Sequence, residues 1–161
     1  MPPLVVENLD ALKDFMGREI AITDWVPITQ DRIQQFAEAT EDRQWIHLDG
    51  ERARRESPYA TTIAHGFLTL SLLSHLAGQA LQIKNGVRMA VNYGLNRVRF
   101  PAPVRADSKV RGRFTLQSVA EVGDAYETIF SVVVEDESQG KPCCVAEWVV
   151  RYYPNKARKN E

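Results

Sequence analysis

The chain has 161 residues, 44% of them hydrophobic and 25% charged, which is the composition of an ordinary globular protein of one domain. Twenty basic against twenty-one acidic residues leave a formal net charge of −1, so nucleic acid is not an expected partner. The first residues lack the basic and apolar blocks of a signal peptide, and the only basic run is "KARK", which we expect to be a solvated terminus.

Two helices are predicted in the first forty residues. Apolar residues between positions 7 and 17 recur at helical spacing, which predicts a short amphipathic helix. The segment "EIAITDWVPIT" then favours an extended chain. In "TQDRIQQFAEAT", Thr29 is a candidate N-cap and the apolar residues share one face. This second helix should end near Thr40, which places Asp42 just beyond it.

The central helix is predicted from Gly66 to about Leu81. Apolar side chains leave no wide polar stripe along it, so it should be buried on most sides. The uncharged stretch around it, residues 57–83, is broken by threonines, serines and histidines. A membrane span needs about 20 predominantly apolar residues, so no membrane partner is expected.

After Gly86 the pattern changes to a period of two. In "NRVRFPAPVRADSKVRGRF", apolar or small residues alternate with charged ones, which predicts half-buried antiparallel strands with a bend at "PAP". "AYETIFSVVVED" and "KPCCVAEWVVRYY" predict two more strands. Cys143 and Cys144 are neighbours in a strand and should point to opposite faces, so neither a disulfide nor a metal site is expected. A reducing cytoplasm is the expected location.

The order of these elements predicts the fold. One buried helix followed by long antiparallel strands is an α+β arrangement, with an antiparallel sheet wrapped around a long buried central helix, as in the hot-dog fold. No repeat or linker divides the chain, so residues 1–161 should form a single domain.

Asp42 and His47 are the first candidates for chemistry. A separation of five residues puts two side chains about 140° apart on a helix and on opposite faces of a strand. They can meet only if the chain turns between them. A carboxylate beside an imidazole can activate water near neutral pH. A structural hydrogen bond or plain solvation is the commoner role of such a pair.

The segment "EDRQWIHLD", followed by "TTIAHGFLTLSLLSHLAG", closely resembles the MaoC-like dehydratases, the family of (R)-specific enoyl-CoA hydratases. The family motif contains an Asp, a His five positions later and a downstream His-Gly that opens the hot-dog helix. Asp42, His47, His65 and Gly66 occupy these places.

The intervening residues depart from the family pattern. Gln44 and Trp45 stand where the motif has Asn-Pro, and Glu41 stands where a Gly often precedes the Asp. The "QWIH" form resembles the NodN-like branch of the family, and the Asp/His spacing is intact.

The resemblance implies a hydro-lyase that hydrates trans-2-enoyl thioesters, or dehydrates 3-hydroxyacyl thioesters. Asp42 would hold and deprotonate the water, and His47 would orient it or share the proton transfer. Gly66 opens a helix, where the first N–H groups have no acceptor within the helix, so its amide could bind the developing oxyanion. No bound cofactor is expected because the thioester carries its own activation, and no metal because the three histidines lack a matching cluster.

Further residues are candidates for substrate binding, and each also has a simpler structural role in packing, helix capping or surface polarity. They are Trp45, His65, Ser74, Asn92, Tyr93 and Asn96. The phosphates of coenzyme A could be met by Arg52, Arg54 and Arg55, or by Arg97 and Arg99, although charge on the wet face of a strand is normal.

Two other functions remain open at this point. A hot-dog thioesterase would also use a carboxylate and a helix-tip amide, and a non-catalytic acyl-binding protein could keep the fold. The resemblance also implies a homodimer, since an exposed strand edge needs covering. The acyl carrier, coenzyme A or an acyl carrier protein, and the chain length are left undecided.

Overall fold

A six-stranded antiparallel sheet forms the body of the computed structural model, which describes residues 1–155. In chain order the strands are β1 (Leu4–Val6), β2 (Arg18–Ile22), β3 (Val26–Ile28), β4 (Leu81–Ile83), β5 (Val87–Arg99), β6 (Ser108–Val122), β7 (Ala125–Asp136) and β8 (Cys144–Pro154). The large sheet has the order β2–β6–β7–β8–β5, and β3 also pairs with β6. Strand β5 therefore lies at one end of the sheet. The "KARK" tail lies outside the described residues.

The helices precede the long strands of this sheet. They are α1 (Gln30–Thr40), α2 (Trp45–Leu48), α3 (Gly50–Glu56), α4 (Gly66–Ser71) and α5 (Leu73–Ala80). Helix α1 confirms the prediction closely, because the hydroxyl of Thr29 accepts a hydrogen bond from the amide of Arg32 and the helix ends at Thr40. The amphipathic segment near the N-terminus is a 3₁₀ helix, Asp10–Phe15, and is shorter than predicted.

The central helix differs from the prediction of one rod buried on most sides. It consists of α4 and α5, which meet at Leu72. Its inner face packs on the sheet through buried residues such as Leu68, Leu73 and Leu76. Its outer face is open in the single chain, where Phe67 is 68% exposed. The apolar pattern predicted burial on most sides because apolar side chains that pack on the sheet and apolar side chains that lie on the surface give the same pattern.

The long strands confirm the alternation. Along β6, buried residues such as Val110 and Phe114 face the helix, while Arg111 and Arg113 lie on the outer face. These arginines pair with Glu135 across the strands at 2.8 and 3.5 Å. Inside the sheet, the ring of Phe130 packs edge-to-face with Phe114 and at a tilt against Trp148, and the three rings belong to the core.

One feature was not predicted, a parallel pair formed by β1 and β4. It ties the N-terminus to the end of the central helix. Three residues per strand are too few to show a clear periodicity, so the sequence contains little signal for this pair. Within residues 1–155, no helix is long and apolar enough to cross a membrane.

Candidate active site

The segment between α1 and α2 supplies the turn that the Asp42–His47 spacing requires. Helix α1 ends at Thr40, and its C-cap residue Glu41 has a φ of 61°, in the left-handed region. This conformation reverses the chain direction, as glycine commonly does at a helix end. Residues 42–44 then run as an irregular loop until Trp45 begins α2. The side chain of Asp42 is 55% exposed in the single chain.

His47 is held by two backbone contacts and is only 6% exposed. Its Nδ1 lies 2.6 Å from the carbonyl oxygen of Ile63. A carbonyl can only accept, so Nδ1 carries the hydrogen and Nε2 keeps a free lone pair. The side chain of Gln30 donates to the carbonyl of His47 at 2.8 Å, and the hydroxyl of Thr62 donates to that same amide side chain. The position and tautomer of His47 are thus fixed by its surroundings.

His65 lies directly behind this pair and is 3% exposed. Its Nε2 donates to the main-chain carbonyl of Asp42 at 2.9 Å, and its ring stacks on that of His47 with centroids 3.7 Å apart and planes 24° apart. The ring also packs against Phe36 at 5.0 Å. Its Nδ1 is buried and has no hydrogen-bond partner in the described part of the chain.

Burial lowers the pKa of His47 below its usual value of 6.5. The stacked ring of His65 also lowers it, whereas the bond to Ile63 and the nearby Asp42 carboxylate raise it. The net shift favours the neutral imidazole at neutral pH. A neutral ring with a free Nε2 can accept a proton, which is the property required of a base.

Asp42, His47 and His65 converge within a small space. One carboxylate oxygen and one nitrogen of each ring lie within 4.8 Å of one another. A single water molecule with hydrogen bonds of about 2.8 Å can span such a gap. The same three side chains carry atoms of the kind that bind a divalent cation, and each histidine keeps one ring nitrogen free of its contact with Ile63 or Asp42.

Gly66 and His47 line the same cavity, which has a volume of about 290 Å³. No acceptor among the described residues takes the Gly66 amide hydrogen. The structure adds a second reason for glycine here: a Cβ at this position would lie 2.9 Å from Cδ2 of Phe100, whose ring packs on the helix tip. Because α4 has only six residues, the free N–H itself matters more than the dipole of a long helix.

Ser74, Asn92 and Tyr93 lie together in a second place, the groove between α5 and the edge strand β5. The side chain of Asn92 donates to the hydroxyl of Ser74 at 3.2 Å, and Tyr93 lines the same groove. The groove extends along apolar side chains including Ala77, Leu81 and Trp148. The structure thus divides the candidate residues into a polar centre at His47 and an apolar groove beside Ser74.

Two candidate residues, Trp45 and Asn96, line neither the cavity at His47 nor the groove beside Ser74. The guanidinium of Arg52 lies 4.3 Å from the ring centroid of Trp45, so this ring packs at the start of α2. Asn96 lies at an irregularity of β5 between Leu95 and Arg97, and is exposed.

Four residues of the site escaped the sequence analysis. Gln30 and Thr62 hold the main chain of His47, while Tyr59 and Phe100 line the cavity. They lie in three separate segments, and each is an ordinary residue for a helix start, a loop or a strand end. Their role depends on tertiary contacts, so neither spacing nor periodicity could reveal it.

Known proteins resemble this chain in sequence and in fold. The family model described as "MaoC like domain" matches residues 12–138. The chain belongs to the MaoC-like family. The chain is 48% identical over 147 residues to "3-hydroxyacyl-thioester dehydratase Z" of Mycobacterium tuberculosis, covering 91% of this chain and 96% of that protein. It is 42% identical over 147 residues to "Nodulation protein N" of Rhizobium leguminosarum bv. viciae, covering 89% and 91% of the two chains.

The fold has a counterpart among solved structures. The unliganded R-hydratase from Pseudomonas aeruginosa superposes with a TM-score of 0.69 and 21% identity, over 87% of this chain and 83% of that one. The similarity confirms the hot-dog fold predicted for this MaoC-like chain.

Proposed function

We propose that this MaoC-like protein is a hydro-lyase that adds water to trans-2-enoyl thioesters with (R) stereochemistry and catalyses the reverse dehydration. The observation that carries the proposal is the convergence of Asp42 and a neutral, tautomer-fixed His47 beside a cavity that also contains Gly66. The similarity to a 3-hydroxyacyl-thioester dehydratase over nearly the whole chain supports the same reaction.

Hydration needs a base for the water and a proton for the α-carbon. The Asp42 carboxylate can only accept, and Nε2 of His47 can only accept because Nδ1 carries the hydrogen. A water between them therefore points one hydrogen at each and its lone pairs at the substrate. When the water oxygen bonds to the β-carbon, one proton passes to this pair and is then delivered to the α-carbon, so H and OH are both added. General acid–base catalysis of this kind contributes about 10²–10⁴-fold.

Negative charge develops on the thioester oxygen during this addition. The unpaired amide of Gly66 is the donor that we assign to it, and loss of such a donor in a hydrolase costs about 10²–10³-fold in rate. The apolar groove beside Ser74 and Asn92 is the surface that we assign to the acyl chain.

The thioester itself supplies the activation, so the proposed reaction uses no bound cofactor. The phosphates of the carrier could be met by exposed arginines, namely Arg54, Arg55, Arg97 and Arg99. Arg52 already forms an ion pair with Glu56 at 2.8 Å. Either coenzyme A or an acyl carrier protein could use these arginines. Free thiols at Cys143 and Cys144 suit a cytoplasmic location.

The direct test uses crotonyl-CoA and two readouts. Loss of the enone absorbance without release of free thiol supports a hydratase, and chiral analysis of the 3-hydroxybutyryl product should give the (R) isomer. Thiol release with no enone loss would instead indicate the thioesterase. Binding of the substrate with neither change would indicate the non-catalytic acyl-binding protein.

A homodimer is the proposed assembly, and β5 is its proposed interface. This strand is 13 residues long, pairs with β8 on one side only, and exposes Met89, Val91 and Tyr93 by 42%, 41% and 58%. A long apolar edge favours pairing with a second strand, and a two-fold axis lets two copies of β5 cover each other. Light scattering after size exclusion should show a dimer, and Val91→Lys should shift it to the monomer. A monomeric wild type would contradict this assembly.

A further inference from the structure

His65 makes three contacts that the proposed reaction does not by itself require. It donates to the backbone of Asp42, stacks on His47, and packs against Phe36. With 3% of its surface exposed, it offers substrate almost no contact area. Its bond to Asp42 joins residues 23 apart in the sequence, so it connects the catalytic loop to the start of α4.

We propose that His65 is a positioning residue: it anchors the loop that carries Asp42 and supports the ring of His47, so that the two acceptors stay aimed at one water. This inference rests on the proposed hydration, and it replaces a direct substrate contact for His65 by an indirect role.

The anchoring argument follows from what else holds Asp42. The Asp42 side chain is 55% exposed, and its closest backbone contact is the Gln44 amide at 3.5 Å, which is at the limit of a hydrogen bond. The preceding residue, Glu41, is in a strained left-handed conformation. A buried donor that binds the Asp42 carbonyl at 2.9 Å is therefore the strongest contact described for this residue.

The support for His47 follows from the stacking. With centroids 3.7 Å apart, a tilt of His47 towards His65 is blocked by ring contact. Because the His65 ring is itself held by its bond to the Asp42 carbonyl and by contact with Phe36, it gives the His47 ring a fixed surface to pack against.

Two substitutions separate the hydrogen bond from the stacking. His65→Phe keeps an aromatic ring on His47 but loses the donor, and His65→Gln keeps a donor but loses the ring. The same changes at the exposed His75 of α5, whose described side-chain contact is with Gln79, are the matched controls. Each variant is assayed for crotonyl-CoA hydration and for amide hydrogen exchange of residues 42–46.

His65→Phe should lower kcat by about 10–100-fold with little change in KM, because a misplaced catalytic group costs rate rather than affinity. It should also speed exchange of residues 42–46 by at least about tenfold. His65→Gln should keep exchange slow and retain more of kcat, and both His75 variants should match the wild type.

Three results would overturn the inference. They are wild-type exchange in His65→Phe, wild-type kcat in both His65 variants, and a rise in KM at constant kcat, which would mean direct substrate contact. If His65→Phe does not fold, His65→Gln tests the inference. This variant keeps a hydrogen-bond donor at position 65, so fast amide exchange of residues 42–46 in it would contradict the proposed anchor. If the wild type hydrates no enoyl thioester, the proposed function fails, while the exchange data still test the anchor.

Discussion

Gly66→Ala tests the geometry of the cavity, because the structure shows what the new methyl group meets. A Cβ at Gly66 would lie 2.9, 3.0 and 3.1 Å from three ring carbons of Phe100. Carbon atoms normally pack about 3.5–4.0 Å apart, so the overlap is about 0.5–1 Å. Overpacking of this size costs about 1–3 kcal/mol, and the lower end applies here because the Phe100 ring is 39% exposed and can move outward.

The expected change in the free energy of unfolding is therefore a loss of about 1 kcal/mol, reduced by the better helix propensity of alanine. The activity should fall by more than stability suggests, at least about tenfold in kcat/KM, because the displaced ring and the methyl group both occupy the cavity beside His47. Urea unfolding of four proteins gives the answer: the wild type, Gly66→Ala, Phe100→Ala and the double variant.

Without the Phe100 ring the methyl group has space, so Gly66→Ala should become neutral or stabilising in the Phe100→Ala background. Gly50→Ala is the matched control, because Gly50 also begins a helix and a Cβ there meets nothing within 4 Å. An equal loss of stability in both backgrounds would refute the reasoning.

Four further predictions use the pKa of His47, the left-handed residue Glu41 and the buried thiols. Since the pKa of His47 is lowered, the acid limb of kcat/KM should have its midpoint below pH 6.5, and a midpoint above 6.5 would contradict a neutral His47. For the same reason the contribution of His47 to stability is present above pH 6.5 and is lost as the pH falls, a dependence that His47→Gln should remove in chemical unfolding. Glu41→Gly should raise the free energy of unfolding by about 0.5–1 kcal/mol, because glycine relieves the strain of the left-handed φ of 61°. Ala39→Gly, two residues earlier inside α1, should lower the free energy of unfolding by about 1 kcal/mol. Changes of the same sign in the two variants would contradict the strain at Glu41. Burial raises the pKa of Cys143 to about 12 and that of Cys144 to about 11, so neither thiol should react with iodoacetamide at pH 7.5 until the protein is unfolded, and rapid labelling of the native protein would contradict their burial.

The periodic parts of the sequence predicted the fold well, because burial on one face leaves a repeating signature. The alternation along β6 and the cap at Thr29 are local patterns, and the structure contains both. The break of the central helix at Leu72 has no such signature. The exposed side of that helix has no such signature either. An apolar residue can lie on an exposed surface as well as in a core, so its type alone does not show which position it occupies.

The site was predictable only in part. The Asp42–His47 spacing indicated that a turn was needed, and the irregular residues 42–44 before α2 supply it. The stacking of His65 on His47 and the bond of Gln30 to the His47 carbonyl join segments far apart in the chain. A single sequence carries no trace of such contacts, because each residue is locally unremarkable where it stands.

The most direct measurement is the turnover of Asp42→Asn with crotonyl-CoA. This change keeps the shape of a side chain that is 55% exposed and removes its charge, so circular dichroism and the unfolding midpoint should match the wild type. If Asp42 and His47 activate the water together, kcat should fall by at least about 100-fold. A folded Asp42→Asn protein that hydrates crotonyl-CoA at nearly the wild-type rate would contradict this account and assign the base to another residue.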